Sequence, residues 1–279
     1  MNRAIYLGTN CEPDDFQYEL SCAKEAGFKS IGISFLGSDV IFKNDFSDYM
    51  KALREELDRQ EIKCVDTHLP VYDILLSSEI VDEKMDKAIK NGLVSTSILG
   101  AEWASFHPRT AMNYNYSSKI AFEHNREALK PLLDVAHKYD VGIAVEYIPV
   151  FPDVPQYIFY SSNPDDLCEI VDCFDSDKIG VCWDTSHANL MTFDQAEVIR
   201  KIGKRLKQTH LGSNYKERDG HTLPVFGNIN WENVMKALKD ISYSGALTLE
   251  VNSVEKRVIP TYMKLAFESV TILKELFEK

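Results

Sequence analysis

VGIAVE, residues 141–146, is an apolar run that stops on a glutamate, and KIGVCWD, residues 178–184, is another that stops on an aspartate. The same rhythm recurs in IKCVDTH (62–68), EWASFH (102–107), RLKQTH (205–210) and ALTLE (246–250); AIYLG (4–8) keeps it without a terminal ligand. Unbroken apolar runs of this length read as strands covered on both faces. A metal-type ligand at the carboxyl end of one strand after another is what a closed parallel barrel produces, because those ends converge on one rim. SIGIS (30–34) completes a set of eight, with runs extending over 141–147, 206–211 and 246–251 at their fullest. The fold class is therefore α/β, a single (β/α)8 TIM barrel occupying residues 1–279, with a metal site expected at its mouth.

The intervening segments carry the helical period. Phe16, Leu20 and Ala23 share one face ahead of Gly27, a candidate C-cap. Phe46, Met50, Leu53 and Leu57 form the next stripe, and Trp231, Val234, Met235 and Leu238 another. Leu265, Ile272 and Leu276 are expected to be the inward stripe of the last helix. Asn163-Pro164 reads as an N-cap followed by proline at the first helical position, and Pro131 should disturb its helix. Two loops after strands are long: residues 148–162, rich in aromatics, and residues 212–229, with Asp219 and His221. Long loops on the carboxyl rim are where a barrel builds its pocket.

Length fits one barrel, which typically takes about 250 residues. Lys and Arg number 31 against 43 Asp and Glu, a net charge of −12. That repels nucleic acid at long range, so nucleic acid is not the expected partner. The six cysteines form no CxxC pair and read as reduced structural thiols of a cytoplasmic protein. The N-terminus runs straight into a strand with no apolar leader, and no stretch approaches the ~18 apolar residues of a membrane span.

Glu146, Asp184, His210 and Glu250 each end a candidate strand. Three carboxylates and an imidazole make a hard, oxygen-rich set suited to Mn²⁺, Mg²⁺ or Co²⁺, with Zn²⁺ allowed. Burying three carboxylates together without a cation would be very costly. His187, three residues past Asp184, either joins the ligands or hydrogen-bonds one of them. His68 and His107 are read as substrate contacts, with further metal ligation as the alternative. Asp219 and His221 are either an additional metal pair or a turn. Lys216 and Arg218 are the cations placed to grip a substrate phosphate. Trp183, beside Asp184, is expected to approach the pocket; Trp103 and Trp231 are read as core, and His124 and His137 as packing or surface.

The segments SFHP (105–108), AVEYIP (144–149), VCWDTSHANL (181–190), THLGSN (209–214), DGHTLPVFGNINW (219–231) and LTLEV (247–251) resemble the xylose isomerase-like TIM barrel superfamily. That superfamily holds sugar and sugar-phosphate isomerases and epimerases and also the endonuclease IV group. The resemblance implies a metal held by Glu146, Asp184, His210 and Glu250. It also implies that Glu146 and Glu250 are the proton-transfer pair and that His187 touches substrate. In the nuclease group the counterparts of nine residues hold three zinc ions; here those nine add His68, His107, His187, Asp219 and His221 to the four. The chain departs from the nuclease pattern after His107, where it reads Pro-Arg-Thr-Ala-Met, and after His68, where it reads Leu-Pro-Val-Tyr-Asp. It also departs from the ketose epimerases, with Pro152 and Asp153 where they carry a substrate-contacting glutamate and Lys216 where they carry an arginine.

The ligand set and the resemblance together imply an isomerase or epimerase that moves a proton on a small sugar through an enediolate. The rivals are an endonuclease IV-like zinc phosphodiesterase acting on abasic DNA, a dehydratase on the same scaffold, and a non-catalytic sugar- or partner-binding barrel. Charge separates the first two. One divalent ion among Glu146, Asp184 and Glu250 leaves an uncompensated negative charge, which suits a neutral sugar. Three ions with Asp219 added leave a positive site, which suits a phosphodiester. Related barrels often pair, so a homo-oligomer is allowed.

Overall fold

The computed structural model describes residues 1–10, 13–72, 82–109, 111–112 (backbone) and 116–279. Eight parallel strands close into a barrel in the order β1-β10-β9-β8-β6-β4-β3-β2. They are β1 (Arg3–Gly8), β2 (Ser30–Ser34), β3 (Lys63–His68), β4 (Trp103–Phe106), β6 (Gly142–Glu146), β8 (Ile179–Asp184), β9 (Leu206–Leu211) and β10 (Leu247–Leu249). The remaining two strands, β5 (Ala111–Met112) and β7 (Ile158–Phe159), pair antiparallel and join the loops that follow β4 and β6. All eight sequence-read strands are present. β10 is shorter than expected, but its ladder extends one residue, since Glu250 N donates to Leu211 O at 3.2 Å.

Helices follow the strands: α1 (Pro13–Ala26), α2 (Phe46–Arg59), α3 (Glu83–Leu99), α4 (Ser118–Tyr139), α5 (Pro164–Asp172), α6 (Thr185–Asn189), α7 (Gln195–Ile202), α8 (Trp231–Asp240) and α9 (Ile259–Glu278). Their starts are set by side chains that satisfy free amides. Asn163 Oδ1 accepts from Asp165 N at 3.0 Å ahead of Pro164, as the sequence predicts. α3 stops at Gly100, whose φ of 79° a Cβ would strain. α4 continues past Pro131 as one helix. The inward stripe of α9 differs from expectation. Ile259, Met263, Ala266, Val270 and Leu273 are buried, whereas Leu265 and Ile272 are 39% and 45% exposed; of the expected three, Leu276 alone packs against the core, half-buried. Both sets repeat at helical spacing, and only the docking angle of α9 decides between them.

Side chains alternate along a strand, so the residue two before each rim ligand also faces the barrel axis. That rule places Asp66 below His68, Cys182 below Asp184, Gln208 below His210 and Thr248 below Glu250, a polar layer under the rim. Thr248 Oγ1 donates to Asp66 Oδ2. Burial pushes the Asp66 carboxyl up to about 6. A raised folded value means that folding prefers the protonated form. The penalty is absent below about pH 4, where the unfolded carboxyl is also protonated, and is complete above pH 6. Asp66→Asn keeps an acceptor for Thr248 and removes the charge. It is expected to stabilise the protein by on the order of 2 kcal/mol at pH 7.5 and to change nothing at about pH 4. Calorimetry at the two pH values checks this; equal stabilisation at both would contradict it.

Trp183 does not reach the pocket. It is fully buried, 4.8 Å from the Tyr147 ring, with its Nε1 donating to Gln195 Oε1 at 3.3 Å. Trp103 and Trp231 are half-buried at the core margin, and Cys173 is exposed. Among the described residues no helix is long and apolar enough to cross a membrane.

Candidate metal centre

The rim brings the four expected ligands together. Glu146 ends β6, Asp184 ends β8, His210 lies on β9 in register with Asp184, and Glu250 follows β10. One ligand atom from each lies within 4.8 Å of the others. Glu146, Asp184 and His210 are fully buried, and Glu250 keeps 18% of its side chain exposed. His210 Nδ1 stands 3.0 Å from Glu250 Oε2, 3.3 Å from Glu146 Oε1 and 4.0 Å from Asp184 Oδ2.

Five further residues of the predicted set join them. His68 Nε2 is 3.4 Å from Glu146 Oε2 and 3.7 Å from Glu250 Oε1. His107 Nε2 is 3.3 Å from Glu146 Oε2. His187 Nε2 and His221 Nε2 converge on Asp219, at 3.3 Å and 3.0 Å. The groups overlap: His68, His107 and Glu146 form one, Asp184, His187 and His221 another, and the central four share Glu146 and Asp184 with them. Lys216 is not brought in. It is exposed, at φ 70°, with its amide held by Asn214 Oδ1. Pro152 and Asp153 are exposed as well.

Backbone carbonyls orient three of the imidazoles. His68 Nδ1 lies 2.8 Å from Leu69 O, His187 Nδ1 3.0 Å from Tyr147 O and His221 Nδ1 3.1 Å from Glu250 O. A carbonyl only accepts, so each Nδ1 carries a proton and each ring turns its Nε2 toward carboxylates. Metal-ligating histidines are commonly held this way. His221 adopts φ 37°, a left-handed conformation that costs energy in a residue with a Cβ. His210 is turned the other way, with Nε2 3.1 Å from the Tyr6 hydroxyl, to which Gln208 Nε2 donates at 2.5 Å. Gly32 makes this reach practicable, since a Cβ there would lie 2.6 Å from the Tyr6 ring. Asp184 serves twice: Oδ1 accepts from His187 N at 2.8 Å and caps α6, leaving Oδ2 for the site.

The donor set fits a divalent cation. Glu146 Oε1 and Oε2, Asp184 Oδ2 and His210 Nδ1 are buried atoms without a hydrogen-bond partner among the described residues. Buried carboxylate oxygens are rarely left so. The imidazole–carboxylate separations of 3.0–4.0 Å within the cluster exceed the ~2.7–2.9 Å of a direct charge-assisted hydrogen bond. Electrostatics point the same way. Burial raises Asp184 to about 7, aided by the Glu250 and Glu146 charges. Burial also works against ionised Glu146 and Glu250, but the neighbouring imidazoles overcome it and hold both well below the usual carboxylate range. Burial lowers His187, yet Asp184 and Asp219 lift it to about 9. So many carboxylates demand positive charge, from protons on the imidazoles or from a cation.

Sequence reasoning missed Tyr6, Gln208 and Thr185. The signal for Gln208 was its place two residues before His210 inside an apolar run. Thr185 Oγ1 accepts from Gly212 N at 3.1 Å and donates to Gly212 O at 2.7 Å, tying the long seventh loop to β8. Cys182 lies near Glu146 and His210, but burial pushes its thiol far up and keeps it protonated. The aromatic loop closes one side, where Phe151 meets the His187 ring edge-on at 5.7 Å.

The chain is 28% identical over 240 residues to an uncharacterised protein of Methanocaldococcus jannaschii, spanning 82% of this chain and 80% of that one. It is also 28% identical over 148 residues to a D-psicose 3-epimerase of Enterocloster bolteae, a match spanning 53% of this chain and 46% of that enzyme. The solved structure of a D-tagatose 3-epimerase-like protein matches with a TM-score of 0.73 at 23% identity, over 97% of this chain and 98% of that one, a likeness of fold. A model of the xylose isomerase-like TIM barrel matches residues 20–276, and with the closed eight-stranded barrel in hand the chain belongs to that family.

Proposed function

We propose that this protein is a divalent-metal-dependent sugar isomerase or epimerase that moves a proton through an enediolate of its substrate. The observation that carries the reading is the convergence of two glutamates, from β6 and from beyond β10, on one imidazole nitrogen, His210 Nδ1, at 3.3 Å and 3.0 Å. The likeness to a D-psicose 3-epimerase supports the same reading. Glu146, Asp184, His210 and Glu250 would hold the cation, with Mn²⁺, Mg²⁺ or Co²⁺ suiting the oxygen-rich set and Zn²⁺ allowed. When bound, the cation supplies polarisation of a carbonyl and its neighbouring hydroxyl, worth several kcal/mol.

The protein's own groups do the rest. Glu146 and Glu250 are held ionised, the state in which a carboxylate accepts a proton. One, as the carboxylate, takes the proton from the carbon between carbonyl and hydroxyl; the other, first protonated from solvent, delivers one and returns to the carboxylate. Delivery to the opposite face of the same carbon gives an epimer, and delivery to the adjacent carbon gives an isomer. General acid–base help of this kind is typically worth about 10²–10⁴-fold. His68, His107 and His187 stand where they can orient substrate hydroxyls, and Phe151 helps exclude water. The protein is expected to work in the cytoplasm, with residues 1–279 acting as one barrel.

The test is solvent exchange. Mn²⁺-loaded protein incubated in D₂O with D-fructose, D-tagatose and D-ribulose is expected to place deuterium at a carbon next to the carbonyl, read by NMR. Absence of exchange on any ketose, with metal bound, would remove the proposal. A second reading, a zinc phosphodiesterase of the endonuclease IV kind, is favoured by one observation: the three overlapping ligand groups draw in eight of the nine residues of that enzyme's pattern, and the ninth, Asp219, stands 3.3 Å from His187 Nε2 and 3.0 Å from His221 Nε2. A dehydratase would share the exchange step and differ by loss of water, which the same spectra register.

A further inference from the structure

A cavity of about 330 Å³ opens beside Glu250 and runs outward between β1, β2 and the start of α9. Its lining includes Tyr6 and Glu250, both in contact with His210, so it adjoins the metal centre. The volume lies at the lower end of small-molecule sites, ~300–1,000 Å³. Beyond Tyr6 the polar lining is neutral, with Asn10, Ser34, Asn252 and Ser253, until Glu19 on α1. Leu36 and Met263 add an apolar wall. Among the described residues the lining contains no lysine or arginine; its only formal charges are Glu19 and Glu250.

We infer that this cavity seats the end of the substrate remote from the reacting carbons, and that this end is an uncharged, hydroxyl-bearing tail, so the protein takes free sugars rather than their terminal phosphate esters. The inference rests on the reading of the metal centre as a carbohydrate site. A phosphate monoester brings about −1.5 to −2 charges and three acceptor oxygens. Such a group is gripped by arginine and lysine side chains or a free helix N-terminus. Among the described residues the lining supplies no such side chain. Barrel phosphate sites usually use the last two loops of the rim, yet the eighth-loop cations point elsewhere. Lys256 Nζ pairs with Asp15 at 2.5 Å and Arg257 Nε with Glu255 at 2.7 Å. Lys216 and Arg218 on the seventh loop are exposed and outside the lining. α9 starts at the cavity, where Pro260 removes one of its first-turn amides. Hydroxyls suit the lining: amides and serines exchange hydrogen bonds with them in either sense, and carboxylates accept from them. Burial and the Asp15 charge raise the Glu19 pKa, the direction that favours a donor partner over an anion.

The experiment is calorimetric binding to Mn²⁺-loaded protein, with D-fructose and D-ribulose set against D-fructose 6-phosphate and D-ribulose 5-phosphate. The free sugars are expected to bind roughly tenfold or more tightly than their esters, the cost of setting an anion against like charge. Glu19→Gln should narrow that ratio and Glu19→Lys should reverse it, with metal content unchanged in both. An ester that binds as well as its parent sugar, a ratio unmoved by either variant, or binding of none of the four would overturn the inference. The two readings separate cleanly. Preferential binding of free sugars without deuterium exchange upholds the subsite and ends the isomerase reading; exchange confined to the esters does the reverse.

Discussion

Glu146→Gln is expected to abolish deuterium exchange and turnover, with at least the about 10²–10⁴-fold loss of a general base. Glu250→Gln should also abolish turnover, because each carboxylate serves one face of the substrate, while exchange at the face that Glu146 serves persists. Glu146 has a further burden. It belongs both to the central four ligands and to the group with His68 and His107, and it is fully buried. Its variant should therefore also bind metal less tightly, while Glu250, at the edge of the cavity, should give a variant that retains more metal. Turnover and metal content measured on the same preparations separate a lost base from a lost cation. Retained turnover in either variant would overturn the acid–base assignment.

Removal of metal should have the second-largest effect. A ligand present at a thousand times its dissociation constant stabilises the native state by about 4 kcal/mol. For a chain of 279 residues that corresponds to about 7 °C in Tm. Chelation is expected to lower Tm by that order and to stop exchange, with Mn²⁺ or Co²⁺ restoring both. The apo protein must then neutralise its carboxylates with protons on His187, His210 and His221, whose values are all raised. Elemental analysis of the reloaded protein decides between the enzyme readings. About one ion per chain supports the isomerase, and three zinc ions per chain would favour the phosphodiesterase. No uptake, and no change of Tm with metal, would leave a non-catalytic barrel.

Much of the architecture was legible because its signals are local. Strands buried on both faces must be apolar throughout, so VGIAVE and KIGVCWD announce themselves. A functional rim must end them on ligands, so Glu146, Asp184, His210 and Glu250 stand out against that background. The Asn163-Pro164 start followed from amide satisfaction alone. The α9 stripe failed for an equally physical reason: with Leu265 and Ile272 on one side and Met263, Val270 and Leu273 on the other, the helix is apolar on two faces. Trp183 failed because alternation along β8 turns it away from the face that carries Asp184.

Sequence alone determined the barrel, its order of units and the residues that reach its mouth, since backbone period and burial of apolar runs are encoded residue by residue. Tertiary structure alone decided how those residues face one another. Which imidazole nitrogen meets the carboxylates depends on carbonyls of Leu69, Tyr147 and Glu250 and on the Tyr6 hydroxyl, groups placed by closure of the ring. The cation-free cavity beside Glu250 likewise arises from where α1 and α9 dock, a matter of packing between segments more than two hundred residues apart.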